Sequence, residues 1–135
     1  MPTPVAPAWF VDETSLGLGK ILAIAREDVV HPGHYLLAGI PTGTIDTVWI
    51  PIVGAMNLVV ISRDRRIRTK PAEIAALRAA RLRVFWIAGK KDLSNWDNLR
   101  LIVRSWDRME EFVRDRGPGP WFCSVSGGGI RELSL

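Results

Sequence analysis

Apolar residues fall along this chain in short unbroken runs separated by stretches of helical spacing, and the two patterns alternate. Ala8-Trp9-Phe10-Val11 is too short for a helix and predicts a first buried strand. Thr14-Ser15 then offers an N-cap, and Leu16, Leu18, Ile21, Leu22 and Ile24 form a helical stripe to about Arg26. Asp28-Val29-Val30 predicts a brief second strand, and His31-Pro32-Gly33-His34 a polar turn. From Tyr35 to Gly43 the residues Gly39, Pro41 and Gly43 break any regular pattern.

Thr44-Ile45-Asp46 predicts a helix start, with Trp49, Ile50, Val53 and Met56 sharing one face and Pro51 close enough to the first turn to be tolerated. Leu58 to Ser62 is the clearest strand. Pro71-Ala72-Glu73 opens a helix to about Arg81, because proline suits the first turn and glutamate the positive end of the dipole. Arg83 to Ile87 is another strand. Ser94-Asn95-Trp96-Asp97 starts the longest helix, with Leu99, Ile102, Val103, Trp106, Met109 and Phe112 toward the core, stopping before Gly117-Pro118-Gly119-Pro120. Trp121 to Val125, a Ser126-to-Gly129 loop and Ile130 to Leu135 predict a closing hairpin. Alternation of strand and helix implies a mostly parallel sheet covered on both faces. The expectation is one domain over residues 1–135, with 1–7 as a short flexible tail.

Composition adds little to this and excludes several classes. At 47% hydrophobic and 24% charged, the chain has the make-up of a folded globular protein. A single cysteine, Cys123, rules out an intrachain disulfide and reads as a small strand side chain. No apolar stretch reaches the roughly 18 residues of a membrane span, and residues 1–7 lack a basic leader segment, so no membrane association and a cytoplasmic location are expected. The net charge of +4 is concentrated where Arg63, Arg65, Arg66, Arg68 and Lys70 crowd around Asp64. That run suits either a solvated turn or a polyanionic partner.

Candidate chemistry lies in three aspartates. Asp12 follows the first strand, Asp46 opens a helix, and Asp64 follows Val60-Ile61-Ser62-Arg63. Acids at the carboxyl ends of buried strands point to the mouth of an α/β sheet, where ligands bind. Carboxylates brought together there repel one another, and a hard divalent cation relieves the repulsion. Each also has a plain structural role, as a turn residue (Asp12, Asp64) or a helix cap (Asp46). Glu13 and Glu73 are possible outer members. Gly17-Leu18-Gly19-Lys20 lacks the spacing of a phosphate-binding loop, and no Gly-x-Ser-x-Gly elbow is present. The tryptophans invite base stacking, but Trp49, Trp86 and Trp106 fit buried faces, with Trp96 and Trp121 less determined.

Asp12 after the first strand, Asp46-Thr47-Val48-Trp49-Ile50, and Val60-Ile61-Ser62-Arg63-Asp64 followed by Arg65-Arg66-Ile67-Arg68 and Pro71-x-Glu73 resemble the PIN-like nucleases. The nearest branch is that of the compact VapC-type toxins, and the likeness runs from about Trp9 to Leu135. The resemblance implies a three-layer α/β/α fold and Mg²⁺- or Mn²⁺-dependent cleavage of RNA. It also implies an antitoxin partner and a possible homodimer. Carried over by position, Asp12, Asp46 and Asp64 hold the metal, Ser62 takes the hydroxyl place of the Thr/Ser-x-Asp motif, and Arg63, Arg65, Arg66 and Arg68 contact RNA. The usual fourth acid, a glutamate on an intervening helix, is missing, since no acid lies between Asp28 and Asp46. The leading expectation is therefore a metal-dependent endoribonuclease, the toxin of a type II toxin–antitoxin pair. The alternative is a catalytically weak PIN-like module that binds RNA or protein.

Overall fold

The computed structural model describes residues 5–64, 69–89 and 93–135. Strand β1 (Trp9–Val11) leads through a 3-10 turn (Glu13–Ser15) into helix α1 (Leu16–Ala25), then β2 (Val29–Val30). Helix α2 (Asp46–Ala55), β3 (Val59–Ser62), α3 (Pro71–Ala79) and β4 (Arg83–Ile87) follow. The chain ends with α4 (Asn95–Arg116), β5 (Trp121–Ser126) and β6 (Gly129–Leu133). The strands form one sheet in the order β2-β1-β3-β4-β5-β6. Neighbours from β2 to β5 pair in parallel, and β6 returns antiparallel to β5. This is the α/β architecture with a C-terminal hairpin that the alternation predicts.

Side-chain alternation along the strands divides the core in two. Trp9, Val11, Val59, Ile61, Phe85, Ile87, Trp121 and Cys123 face Leu18 and Leu22 of α1 and Ile102, Trp106 and Met109 of α4. Phe10, Val30, Val60, Val84, Trp86 and Phe122 face Trp49, Ile50 and Val53 of α2 and Leu77 of α3. Both sheet faces are thus covered, giving three layers, and the strands are apolar throughout for that reason. Gly54 lets α2 and α3 close up, since a Cβ there would lie 2.6 Å from the Ala80 carbonyl oxygen.

The crossovers do not all share one hand. Helices α2 and α3 serve steps in one direction on one face, and α1 serves the opposite step on the other face, so these three agree. Helix α4 continues in the α2 and α3 direction but lies on the α1 face, so its crossover has the opposite hand, against the usual rule. Aromatic packing holds it there: Trp106 lies 4.6 Å from Trp9, and Phe112 meets Phe85 and Trp121 at 6.0 and 5.0 Å between ring centroids. The result places the first turn of α4 beside that of α1. A Cβ on Gly17 would come within 2.5 Å of the Asn95 side chain.

Some expected core positions are at the surface. Ile24 is 89% exposed and Val103 60% exposed. Each lies about 100° or more round its helix from the buried residues Leu18 or Ile102, outside the stripe that reaches the sheet. Ile21 is also exposed, and Met56 falls just past the end of α2 and is exposed. Gly17 to Lys20 lie within α1, so that segment forms no phosphate loop. Trp9, Trp49, Trp86, Trp106 and Trp121 are buried, whereas Trp96 is exposed. Among the described residues, no helix is long and apolar enough to cross a membrane.

Candidate functional site

Strand order places a switch point between β1 and β3. The chain leaves β1 toward β2 on one side and later builds β3, β4 and β5 on the other. The carboxyl ends of β1 and β3 therefore flank a crevice of the kind where ligands bind in open α/β sheets. Pairing of Val11 with Ile61 puts the next residues, Asp12 and Ser62, side by side.

Asp12 is buried, with 2% of its surface exposed. Its Oδ2 accepts the Ser62 hydroxyl at 2.5 Å and its Oδ1 accepts the Thr14 hydroxyl at 2.6 Å. Both hydroxyl oxygens in turn accept backbone N–H groups of the loop after β3: Asp64 N to Ser62 Oγ at 3.0 Å and Arg63 N to Thr14 Oγ1 at 3.3 Å. The hydroxyl protons thus point at the carboxylate, and the loop carrying Asp64 is tied to Asp12. Burial pushes the Asp12 carboxyl up to about 7; the two hydroxyls pull it down, and the charges of Asp64 and Asp46 push it up further.

Asp46 is the first residue of α2, with Ile45 at the cap position, so it is not itself the N-cap. Its Oδ1 accepts the Trp49 indole N–H at 2.8 Å, which anchors the half-buried carboxylate to a core side chain. A hollow beside it is lined by Ile45, Asp46, Thr47 and Glu73. Glu73, in the first turn of α3, is 3.7 Å from Lys70 through Oε1, while its Oε2 is buried without a partner. Glu13 is exposed and accepts the Gly43 backbone N–H at 2.7 Å. Arg63 donates through Nη1 to the Leu93 carbonyl at 3.2 Å, joining the β3 loop to the segment before α4. Arg65, Arg66 and Arg68 lie outside the described residues.

Sequence reasoning passed over the hydroxyl of Thr14 and two further polar groups, reading Thr14-Ser15 only as a helix cap. Ser15 holds the cap position of α1 but makes no cap bond, and its buried Oγ has no partner. Asn98 is 3% exposed, with Oδ1 also unpartnered and Nδ2 at 3.5 Å from the Leu93 carbonyl. Its signal was legible: an amide four residues before Ile102 stands on the apolar stripe of α4.

The buried side-chain oxygens without partners among the described residues are Ser15 Oγ, Glu73 Oε2 and Asn98 Oδ1. All three sit at the cap or in the first turn of a helix at the carboxyl end of the sheet. Oxygen acceptors left without donors call for a cation or for water. Carboxylates are the donors of Mg²⁺ and Mn²⁺, and Mg²⁺ is commonly held by one or two of them with waters completing its shell. Among the described residues, no group of three or more His, Cys, Asp or Glu side chains is disposed to hold one ion. The donor set therefore fits a hard cation held by one or two carboxylates, with the remaining oxygens reached through water.

Cys123 is a buried strand residue, and burial pushes its thiol up to about 12, so it offers no nucleophile at neutral pH. No curated protein and no solved structure matches the chain. Residues 7–89 match the family model described as a PIN like domain, and they contain Asp12, Asp46 and Ser62-Arg63-Asp64. The chain belongs to the PIN-like domain family.

Proposed function

We propose that this protein is a metal-dependent endoribonuclease, the toxin of a VapC-type, type II toxin–antitoxin pair. The observation that carries the reading is Asp12: a buried carboxyl pushed up to about 7 at the switch point, with Asp46 and Asp64 near enough to add to the shift. Structural carboxylates are normally placed where their charge is stabilised, and a site that works against ionisation is a functional candidate.

In this reading Asp12, Asp46 and Asp64 hold Mg²⁺ or Mn²⁺, one or two of them directly and the remainder through water. Such an ion supplies positive charge to a phosphate and lowers the pKa of a water. Ser62 and Thr14 orient Asp12 through their hydroxyls and carry the Asp64 loop on their oxygens. Arg63, with Arg65, Arg66 and Arg68, supplies contacts to RNA phosphates. Glu13 and Glu73 belong to the rim, Glu73 the closer to Asp46 across their shared hollow. The partners are an antitoxin encoded alongside and a second copy of the chain, and the location is the cytoplasm.

The test is cleavage of a labelled RNA in Mn²⁺ by wild type and by Asp64→Asn, with a thermal melt of each. Loss of cleavage in a folded variant is expected; an Asp64→Asn protein as active as wild type overturns the assignment. Growth arrest on expression, relieved by the product of the adjoining small gene, tests the toxin role. The absence of any acid between Asp28 and Asp46 favours a second reading, a catalytically weak module binding RNA or protein. Calorimetry separates the two: no heat with millimolar Mn²⁺ supports the module.

A further inference from the structure

The loop that follows β2 carries a feature that metal-assisted cleavage does not use. His34 and Tyr35 stack with ring centroids 4.6 Å apart and planes inclined by 25°. His31 meets His34 edge-on at 5.1 Å. Tyr35 is 84% exposed, so the ring face turned away from His34 is open to solvent. Leu37 and Ile40 of the same loop are buried in the core, whereas Tyr35, held flat by a neighbouring ring, buries no core surface.

The loop is fixed at the mouth of the sheet. Pairing of Phe10 with Val30 sets His31 level with Val11, one residue before Asp12. His31 Cβ and Val11 Cβ each lie 3.1 Å from the point a Gly19 Cβ would occupy. At its far end the loop is tied to the neighbour of Asp12, by Gly43 N donating to Glu13 Oε1 at 2.7 Å. His31, to which the stack is joined through His34, thus lies on the β2 side of the crevice.

Hydrogen bonds also fix the state of the imidazoles. His34 Nδ1 accepts the Leu36 backbone N–H at 3.1 Å, so in the neutral ring the proton is on Nε2. His31 Nδ1 lies 2.8 Å from the Pro32 carbonyl oxygen, which only accepts, so Nδ1 carries a proton. His34 then has no lone pair to give a metal, which argues against a two-histidine metal site. Burial, with His31 beside it, holds His34 below the usual histidine range, so its ring is neutral at neutral pH.

We propose that Tyr35, backed by His34 and braced by His31, is a stacking subsite for an unpaired base of the RNA substrate, beside the cleaved phosphate. The proposal rests on the nuclease reading above. A flat exposed ring suits a base, and stacking selects single-stranded over duplex RNA because a paired base has no free face.

The test measures binding, by fluorescence anisotropy, of a short labelled single-stranded RNA and of the same strand with abasic residues, with cleavage in Mn²⁺ followed in parallel. Tyr35→Ala is expected to weaken binding of intact RNA about 5- to 100-fold and to leave the abasic strand within about twofold. Tyr35→Trp restores the intact-strand affinity, which a merely structural role would not do. An intact-to-abasic ratio unmoved by Tyr35→Ala in a cleaving enzyme overturns the subsite and leaves the nuclease standing. A wild type whose RNA binding depends on Tyr35 but which cleaves nothing keeps the subsite and removes the nuclease. Equal binding of duplex and single strand overturns the subsite.

Discussion

The parallel sheet has a hollow at each end, and the two differ in kind. At the amino ends of the strands a hollow of about 520 Å³ is lined by Pro7, Ala8, Trp9, Met56, Asn57, Val59, Arg83 and the flank of α4. At the carboxyl ends the hollow beside Asp46 is smaller, about 340 Å³. Yet in the larger one Arg83 Nη2 donates to the Asn57 carbonyl at 2.8 Å and to its Oδ1 at 3.2 Å. Every buried, unpartnered side-chain oxygen among the described residues lies at the other end, where the Asp12 carboxyl also resists ionisation. Room alone does not mark a site; oxygen acceptors folded into place without partners are the better guide, because folding leaves them so at a cost of about 1–3 kcal/mol each.

The largest expected effect comes from Asp12 itself. Its folded pKa of about 7 stands above the ordinary aspartate value of 3.8, so the native state holds a proton that the unfolded chain releases. Stability is then fully present below about pH 4 and is lost as pH rises through about 7, by up to ~4 kcal/mol from this group. Denaturant melts of metal-free protein between pH 4 and 8 are expected to show that decline, and Asp12→Asn to flatten it. Mn²⁺ is expected to restore stability at pH 8, since a cation takes the place of the proton. A metal-free protein whose stability rises across this range breaks the contrast between the two ends.

Next in size is catalysis. Asp64→Asn and Asp46→Asn are each expected to lower cleavage at least about 100-fold without unfolding the chain. Ser62→Ala follows at about 10- to 100-fold, because it removes one of two hydroxyls that orient Asp12 and the acceptor that holds Asp64 N. If Ser62→Ala cleaves as wild type does, the hydroxyl is part of the fold and not of the site.

How much of this the chain disclosed depended on whether a feature was local. The strands were legible because burial on both faces makes them continuous apolar runs, as in Trp9-Phe10-Val11 and Val59-Val60-Ile61. Asp12 and Ser62 were legible as residues ending such runs, but their contact across fifty positions depends on the β1–β3 register, which no local pattern records. Ile24 and Val103 were misassigned because a helical stripe does not say how much of it a neighbour covers. The opposite hand of the α4 crossover left no local trace, and the His34–Tyr35 stack arises in a loop without period. The reach of Arg65, Arg66 and Arg68 remains a sequence-level expectation, outside the described residues.

The smallest expected effect sharpens the comparison from the opposite end. Arg83→Ala removes a guanidinium bridge from the start of β4 to Asn57, two residues before β3, in the lining of the larger hollow. It leaves the Asn57 carbonyl near solvent and so costs about 1 kcal/mol of stability. Cleavage is expected to stay within about twofold of wild type, since the bridge lies at the opposite end of the strands from Asp12 and Asp64. A denaturant midpoint and an RNA cleavage rate on the same preparation decide it. A large loss of cleavage with an unchanged midpoint would mean that the amino-end hollow takes part in the chemistry, and that room rather than unpaired oxygen had been the better guide.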